Sequence, residues 1–300
     1  MSNPIYLYYW DNILNLGDVL GLFIVQSLAD AKIEYKNPFI KWRSIVKAYI
    51  CDILFRQHNF EYYVKKRVPS TAKILFSVGS ILDWATNNSV VWGSGFREQQ
   101  STTRSKNIYA VRGLRTRALL PDRFSNVNIG DPGLLLPLIL PPSQLTNQTP
   151  TSNGISVIAH FKDKELECVK NTPYHKIDIQ TSDIERFVSE IKSSKFILSS
   201  SLHGIIISHA YGVPALWIRG DYTGSSDFKF FDYLSIFSLD KGYPILNADE
   251  VLFMSRKEIE DLFDRYYRYS KPDEKAVSAI QKGLLKSAPF KLKERYNVYL

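Results

Sequence analysis

Three hundred residues are more than one ordinary domain needs and suit two. With 45% apolar residues and no long low-complexity tract, the composition excludes a disordered chain. The net charge of +8 favours anionic partners; Lys and Arg are scattered without a dense run or a nucleic-acid motif, so no nucleic acid is expected, and phosphorylated small molecules or an acidic membrane surface rank ahead of it. Cys51 and Cys168 lie far apart with no His or Cys at ligand spacing, which argues against a disulfide framework and a zinc site; no metal is expected. Met1-Ser2-Asn3-Pro4 lacks the regions of a signal peptide, and the most continuous apolar stretch, Gly133 to Pro142, is short and holds Pro137. A cytoplasmic location is expected.

The chain opens on a strand pattern, Ile5 to Trp10, followed by a loop with Asn15-Leu16-Gly17-Asp18 and a helix from about Val19 to Ala29. A long helical pattern covers Ser44 to Tyr63. Lys73 to Val78 reads as a strand ending in Gly79-Ser80, and Val90 to Trp92 as one ending in Gly93-Ser94-Gly95. Ile108 to Val111 ends in Arg112-Gly113 before a helix through Leu120, and Val127 to Ile129 ends in Gly130-Asp131-Pro132. Strands alternating with helices, each strand ending in small or polar residues, are the pattern of a doubly wound parallel sheet whose ligands sit beyond the strands' carboxyl ends.

Pro141 to Gly154 is rich in Pro, Ser, Thr, Asn and Gln and reads as a linker. The pattern then restarts: a strand at Ile155 to Ala159 ending at His160, another at Lys176 to Ile179, and a helix at Ser182 to Lys192. The last part is helical over Ser255 to Tyr267 and Pro272 to Leu285, with a basic, aromatic tail. The expected organisation is an α/β fold of two Rossmann-like domains, residues 1–145 and 152–285, with a cleft between them. A tail, 286–300, is expected to pack back on the first domain.

Residues 195 to 218 are the most informative stretch. An apolar run, Phe196 to Leu198, meets Ser199, Ser200 and Ser201; Leu202-His203-Gly204 opens a helix that Gly212-Val213-Pro214 stops, and Ala215 to Ile218 is the next strand. Hydroxyls, backbone N–H groups and an imidazole at a helix N-terminus form a site suited to an anion. The helix end depresses the pKa of His203, and a bound anion raises it again, which suits a general acid. The plainer reading, equally weighted, is a capping turn in which the serines satisfy backbone donors and His203 packs locally. His209 falls on another face and reads as a core or surface histidine.

Other residues point to the same cleft. His160 ends a strand of the second half. Arg112 ends a strand of the first, where a guanidinium can grip a carboxylate or phosphate bidentately; Arg115 and Arg117 read as solvated. Gly79, Ser80 and Gly95 let a ligand approach the backbone, or are tight turns. Asp131 is a turn residue or an acceptor in the cleft. Asn15-Leu16-Gly17-Asp18 lacks the spacing of a dinucleotide or P-loop motif. Asp221 to Asp232 reads as a loop beside the second sheet, with Lys229 near a helix start.

Taken in order and spacing, Asn15-x-Gly17-Asp18, Gly79-Ser80, Trp92-Gly93-Ser94-Gly95, Val111-Arg112, Gly130-Asp131-Pro132, Ser200-Ser201-Leu202-His203-Gly204 and Phe228-Lys229-Phe230-Phe231-Asp232-Tyr233 resemble the polysaccharide pyruvyl transferases. The resemblance runs from Asn15 to about Ser238. It implies a fold similar to the two-domain B-type glycosyltransferases, and transfer of pyruvate from phosphoenolpyruvate, the co-substrate, onto two hydroxyls of one sugar as a cyclic ketal. No other cofactor is implied. The acceptor it implies is a surface polysaccharide or its lipid-linked precursor, handled at the inner face of the cell membrane. Arg112 matches a donor-binding arginine of the family, and Leu202 and His203 match two positions of its arginine-leucine-histidine turn. Ser201 stands where some members carry arginine, so one cation contact is absent or moved, with Lys229 or Arg219 as substitutes. On this reading Arg112, Ser200, Ser201, Leu202 and Lys229 bind the donor, and His203 is the acid. Asp18, His160 or Asp131 takes the sugar's proton, and Asn15, Gly17, Gly79, Ser80 and Gly95 line the cleft.

Two alternatives share these features: a nucleotide-sugar glycosyltransferase of B-type fold, whose diphosphate the same turn can bind, and a glycan-binding relative without catalysis. The apolar stripe Trp42, Ile45, Val46, Tyr49, Ile50 and Ile53, followed by Lys65-Lys66-Arg67, is most simply a helix packed on its own sheet. The other option is peripheral contact with an anionic membrane.

Overall fold

Among the described residues, ten strands form two parallel sheets, and the order of each sheet reverses at one point. The computed structural model describes residues 4–11, 13–56, 59–69, 71–145, 154–221 and 227–300. The first sheet is built from β1 (Ile5–Tyr8), β2 (Ile33–Tyr35), β3 (Ile74–Phe76), β4 (Ser89–Trp92), β5 (Asn107–Val111) and β6 (Asn128–Ile129), in the order β2-β1-β3-β4-β5-β6. The second is built from β7 (Ile155–Ile158), β8 (His175–Lys176), β9 (Phe196–Ser199) and β10 (Ala215–Trp217), in the order β10-β9-β7-β8. Every pairing is parallel, which agrees with the buried, unbroken apolar character of Ile74–Phe76 and Ile155–Ile158. The mixed α/β class expected from the strand–helix alternation is present.

Helices fill the crossovers. In α1 (Leu16–Leu28), Leu16, Leu20, Ile24, Val25 and Leu28 repeat at helical spacing and are fully buried. This helix begins at Leu16 rather than Val19, because Leu16 belongs to the buried stripe and extended Asn15 (φ −150°) starts the first turn. Gly17 and Asp18 therefore lie in a helix, not a loop. β2 escaped the sequence reading: three half-buried residues at a sheet edge carry too short a pattern.

The long helical pattern at Ser44 to Tyr63 is two helices, α2 (Trp42–Phe55) and α3 (Phe60–Lys66). Arg56 breaks them with a left-handed backbone (φ 53°), and the Asp52 carboxylate accepts the Asn59 and Phe60 N–H groups at 2.8 Å each. The expectation that the apolar stripe packs on its sheet is corrected here. Only Ile45 of that stripe is buried, and α3 buries no residue at all, because α2 rests on α3 rather than on the strands.

The first half continues through α4 (Leu114–Ala118) and α5 (Leu136–Ile139). The second half adds α6 (Glu167–Asn171), α7 (Ile184–Lys192), α8 (Leu202–Ala210), α9 (Phe228–Ser235), α10 (Ala248–Val251), α11 (Arg256–Arg265), α12 (Tyr267–Ser270) and α13 (Glu274–Lys286). Most of the expected linker, residues 146–153, lies outside the described residues. One apolar core runs through both halves. It joins Leu16, Leu20 and Leu134 to Ile205, Ile206 and Leu216, and a Cβ on Gly133 would stand 2.9 Å from Ile206. Helix α13 returns to the first sheet, where the Trp92 indole N–H donates to Leu284 O at 3.0 Å and the Gln281 amide to Leu134 O at 2.7 Å. The final residues follow it: Lys293 N–H donates to Leu28 O (2.8 Å), and Lys291 pairs with Asp30 (2.8 Å).

Candidate active site

In an open parallel sheet, a crevice forms where successive crossovers leave in opposite directions. The first sheet reverses between β1 and β3, and the second between β7 and β9. The segments that leave these strands carry Asn15 to Asp18 after β1, Ser80 after β3, His160 after β7 and Ser200 to His203 after β9. Chain topology alone thus collects most of the sequence candidates at the two crevices.

The crevices meet. Gly17, the second residue of α1, lies so close to His203, the second residue of α8, that a Cβ on Gly17 would stand 2.1 Å from the imidazole Nδ1. Two helix N-termini, one from each half, therefore converge. Neither helix is capped by a side chain: the Asn15 amide donates to Asp18 Oδ2 (2.8 Å), and Ser201 makes no capping hydrogen bond. The positive ends of the two helix dipoles make this junction attractive to an anion. The Leu16 N–H donates to Ile179 O at 2.8 Å and ties the start of α1 to the second half.

The serines build the turn. Ser199 Oγ lies 2.8 Å from Ile158 O and 2.9 Å from Ser201 O, one of which takes its single proton, and it accepts the Ser201 N–H, while Ser200 Oγ accepts the His160 N–H at 2.9 Å. Ser200, Ser201 and Leu202 are all buried, and Gly204 is needed because a Cβ there would stand 2.4 Å from Ser199 Oγ. The capping-turn reading and the anion-site reading therefore describe the same turn: Ser199 and Ser200 hold the backbone, and His203 is left to the junction.

Electrostatics divides the candidates. Burial, then the charges of Arg112 and Lys229, push the His203 imidazole down to about 3, and its Nε2 has no hydrogen-bond partner among the described residues. His160 is likewise pushed down to about 3, by burial first and then by Lys229. Its Nδ1 accepts the Lys162 N–H at 3.3 Å, so a neutral ring carries its proton on Nε2 and offers a donor rather than a base. Burial raises Asp18 to about 6, so it is ionised at neutral pH yet far more basic than a free carboxylate. Asp131 is also raised to about 6 by burial, but it is fully enclosed, and its Oδ1 caps the turn at Pro132–Leu135 through the Gly133 N–H.

Lys229, in the first turn of α9, is lowered to about 8 by burial and by Arg112 and Arg97. It makes no ion pair among the described residues. Arg219, the other proposed substitute cation, is held by Asp227 at 2.6 Å. The rest of the expected loop, residues 222–226, lies outside the described residues.

Arg112 is placed differently from the sequence expectation of a bidentate clamp. It is fully buried, and Nε donates to Asp232 Oδ2 (3.0 Å), Nη1 to Ser80 Oγ (2.5 Å) and Nη2 to Phe96 O (2.6 Å). The space that Gly95 leaves is filled by this guanidinium, since a Cβ there would stand 2.5 Å from Arg112 Cζ. Gly79 adopts φ +111° and gives its carbonyl to Ser94 Oγ and Gly95 N–H. Gly79, Ser80 and Gly95 thus cradle Arg112 rather than face an open cleft, and Arg112 reaches the junction through its charge. Arg115 keeps a side chain that is 41% exposed, as expected of a solvated face, and bridges to Asp240 at 2.9 Å. His209 is a core residue, with Nδ1 3.1 Å from the Tyr233 hydroxyl.

Two features were missed. Asp232 on α9 is fully buried and accepts from Arg112, from the Thr116 hydroxyl (2.7 Å) and from the Thr116 N–H (2.7 Å), joining the halves beside the junction. Only the acid-aromatic motif around it gave a signal. The second is an aromatic group at the same sheet edge: Trp10 lies 5.1 Å from Trp84, Phe39 6.4 Å from Trp84, and the Arg97 guanidinium 5.6 Å over Trp84.

Residues 15–222 match the sequence model of the polysaccharide pyruvyl transferase family. The chain belongs to that family. A polysaccharide pyruvyl transferase moves pyruvate onto a polysaccharide, and the matched span covers both crevices. The chain is also 30% identical over 249 residues to Uncharacterized protein L143 of Acanthamoeba polyphaga mimivirus, across 79% of this chain and 76% of the relative.

In this pyruvyl transferase the closeness of Gly17 and His203 is directly testable. Gly17→Ala is expected to displace the imidazole and lower turnover by about 100-fold, the cost of misplacing a reacting group by about 1 Å. Helix propensity favours alanine by about 1 kcal/mol and offsets part of the roughly 1–3 kcal/mol that displacing a buried ring costs, so the loss of stability should be small. Thermal unfolding alongside steady-state rates checks both, and wild-type turnover would show that the ring's position does not matter.

Proposed function

We propose that this protein transfers the pyruvyl group of phosphoenolpyruvate onto two hydroxyls of a sugar residue in a surface polysaccharide or its lipid-linked precursor. The products are a cyclic ketal and inorganic phosphate. The observation that carries the reading is the convergence of two uncapped helix N-termini on His203, with Lys229 and the charge of Arg112 beside them. A donor with a phosphate and a carboxylate matches that positive field. The architecture behind it is a pair of Rossmann-like domains, about residues 1–145 and 152–285, arranged as in B-type glycosyltransferases.

The chemistry follows from the charges. Before the donor binds, His203 is neutral because burial and two cations oppose its protonation. A bound polyanion offsets those cations and stabilises the imidazolium. That proton goes to the methylene carbon of the donor, which becomes a methyl group and leaves C2 electrophilic. One sugar hydroxyl attacks C2, the C2–O bond to phosphate breaks, and the second hydroxyl closes the ketal. Each hydroxyl gives up a proton: one leaves with the departing phosphate, and the other, taken by a base, restores the proton that His203 gave. Asp18 is the base of choice among Asp18, His160 and Asp131, being ionised near neutrality and raised toward 6. Lys229 takes the place of the cation absent at Ser201. The aromatic faces of Trp10, Trp84 and Phe39 receive the apolar face of the acceptor sugar.

The decisive experiment incubates the protein with phosphoenolpyruvate and candidate glycans and weighs the product. A pyruvate ketal with stoichiometric phosphate supports the reading. A hexose taken from a nucleotide sugar would replace it with glycosyl transfer, and tight glycan binding without turnover would replace it with a binding role.

Donor affinity is expected to weaken as the pH rises through about 8, where free Lys229 loses its proton. The bound donor holds that proton, so affinity is full below this pH and is lost above it, by about 30-fold from about pH 7 to about pH 9.5. Calorimetric titration of phosphoenolpyruvate checks this. Lys229→Ala should bind weakly at all pH values and show no loss above about 8. Parallel profiles for the two proteins would place Lys229 outside the site.

A further inference from the structure

The fold leaves one face of the α2–α3 hairpin uncovered. Trp42, Val46, Tyr49, Ile50 and Ile53 recur at i, i+4, i+7, i+8 and i+11, which puts them on a single side of α2. All are exposed, Trp42 and Ile53 at 62% each. Isolated exposed apolar residues are ordinary, but a contiguous helical face of this kind marks a contact surface.

We infer that this hairpin docks on an anionic phospholipid surface. Charge selects that occupant. Residues 36–67 hold eight Lys and Arg against two carboxylates, Asp52 and Glu61. Asp52 is turned inward, where it accepts the N–H groups at the start of α3. Arg43 and Lys47 border the apolar face on α2. Lys65 and Arg67 stand at the end of α3, and the Arg67 guanidinium lies 5.6 Å over the exposed Trp42 ring. An apolar face with a basic border and an aromatic residue at its edge is the pattern of a helix lying in a lipid–water interface. A second copy of the chain fits less well, since a twofold pairing would press two such basic borders together. The 14 residues of α2 are fewer than the roughly 20 a span requires, and no helix among the described residues is long and apolar enough to cross a membrane. The hairpin lies on the surface.

Its position links it to the site. The hairpin leaves and rejoins the first sheet beyond the end of β2, where the Asn37 N–H donates to Lys66 O at 2.7 Å. Lys66 Nζ pairs at 3.1 Å with Asp11, on the segment that leads into Asn15. The crevice after β1 opens at that same sheet edge. Docking there brings a lipid-linked acceptor to the crevice; this clause rests on the transferase reading, whereas the lipid contact itself does not.

The test is flotation of the full-length protein with phosphatidylcholine vesicles, with or without about a third phosphatidylglycerol. Wild type is expected to float with the anionic vesicles alone, less as salt is added, with a blue shift of tryptophan emission that Trp42→Phe lacks. Ile53→Glu is expected to lower the bound fraction by about tenfold or more, and Arg43→Glu/Lys47→Glu to do the same. No flotation of wild type, or equal flotation of Ile53→Glu, overturns the proposal. So does a wild-type dimer that Ile53→Glu dissolves while neither protein binds vesicles. Pyruvate transfer to a soluble glycan, run on the same proteins, should be unchanged by Ile53→Glu, and its absence in wild type would count against the transferase reading alone.

Discussion

His203→Gln is expected to abolish most turnover, by a factor of about 10²–10⁴, while the protein folds as before. The structure gives both halves of this expectation. His203 Nε2 makes no hydrogen bond among the described residues, so its loss strands none of their groups, and glutamine is close in size and polarity. Glutamine has no proton to give to a carbon atom. The distinguishing readout is the split between steps. Donor affinity measured by calorimetry should change only a few-fold, through the lost imidazolium, while single-turnover ketal formation collapses. Near-normal turnover would remove His203 from the chemistry and leave the junction as a binding site only.

Asp232→Ala is expected to destabilise the protein by about 3–5 kcal/mol, because it leaves the Arg112 guanidinium buried with an uncompensated charge. Arg112 and Asp232 are both fully buried, from opposite halves, and Asp232 also holds the Thr116 N–H and hydroxyl. Gly113 allows this approach, since a Cβ there would stand 1.9 Å from Asp232 O. Replacing both partners, as in Arg112→Met/Asp232→Leu, should cost much less than Asp232→Ala alone, because an apolar pair carries no desolvation penalty. Denaturant titration of the three proteins reads this directly. A single-variant loss below about 1 kcal/mol would mean that water or another group neutralises Arg112. The double variant should still lose activity, as it removes the charge that acts on His203 and Lys229.

Much of the molecule was legible from local pattern. Buried parallel strands such as Ile74–Phe76 and Ile155–Ile158 announce themselves by unbroken apolar runs. The turn from Ser199 to Gly204 is written in residues that each have a local task, and its helix follows at once. The failures are also physical. Arg112 at a strand end has the same sequence appearance whether it grips a ligand or a carboxylate 120 residues away, and Asp232 decided between them. The apolar stripe of α2 has the periodicity of any buried helix; periodicity reports which side is apolar, not what covers it.

The sequence by itself determined the α/β class, the strand ends that bear polar residues, the serine turn that opens the helix at His203 and the family resemblance. These rest on neighbours a few residues apart, whose spacing is set by backbone geometry. Only the tertiary structure decided that Gly17 yields its space to His203, that Arg112 is locked to Asp232, and that burial raises Asp18. It also left the face of α2 bare. Each of these depends on which distant segments exclude water from a group, and burial of that kind is a property of the packed chain rather than of any stretch of it.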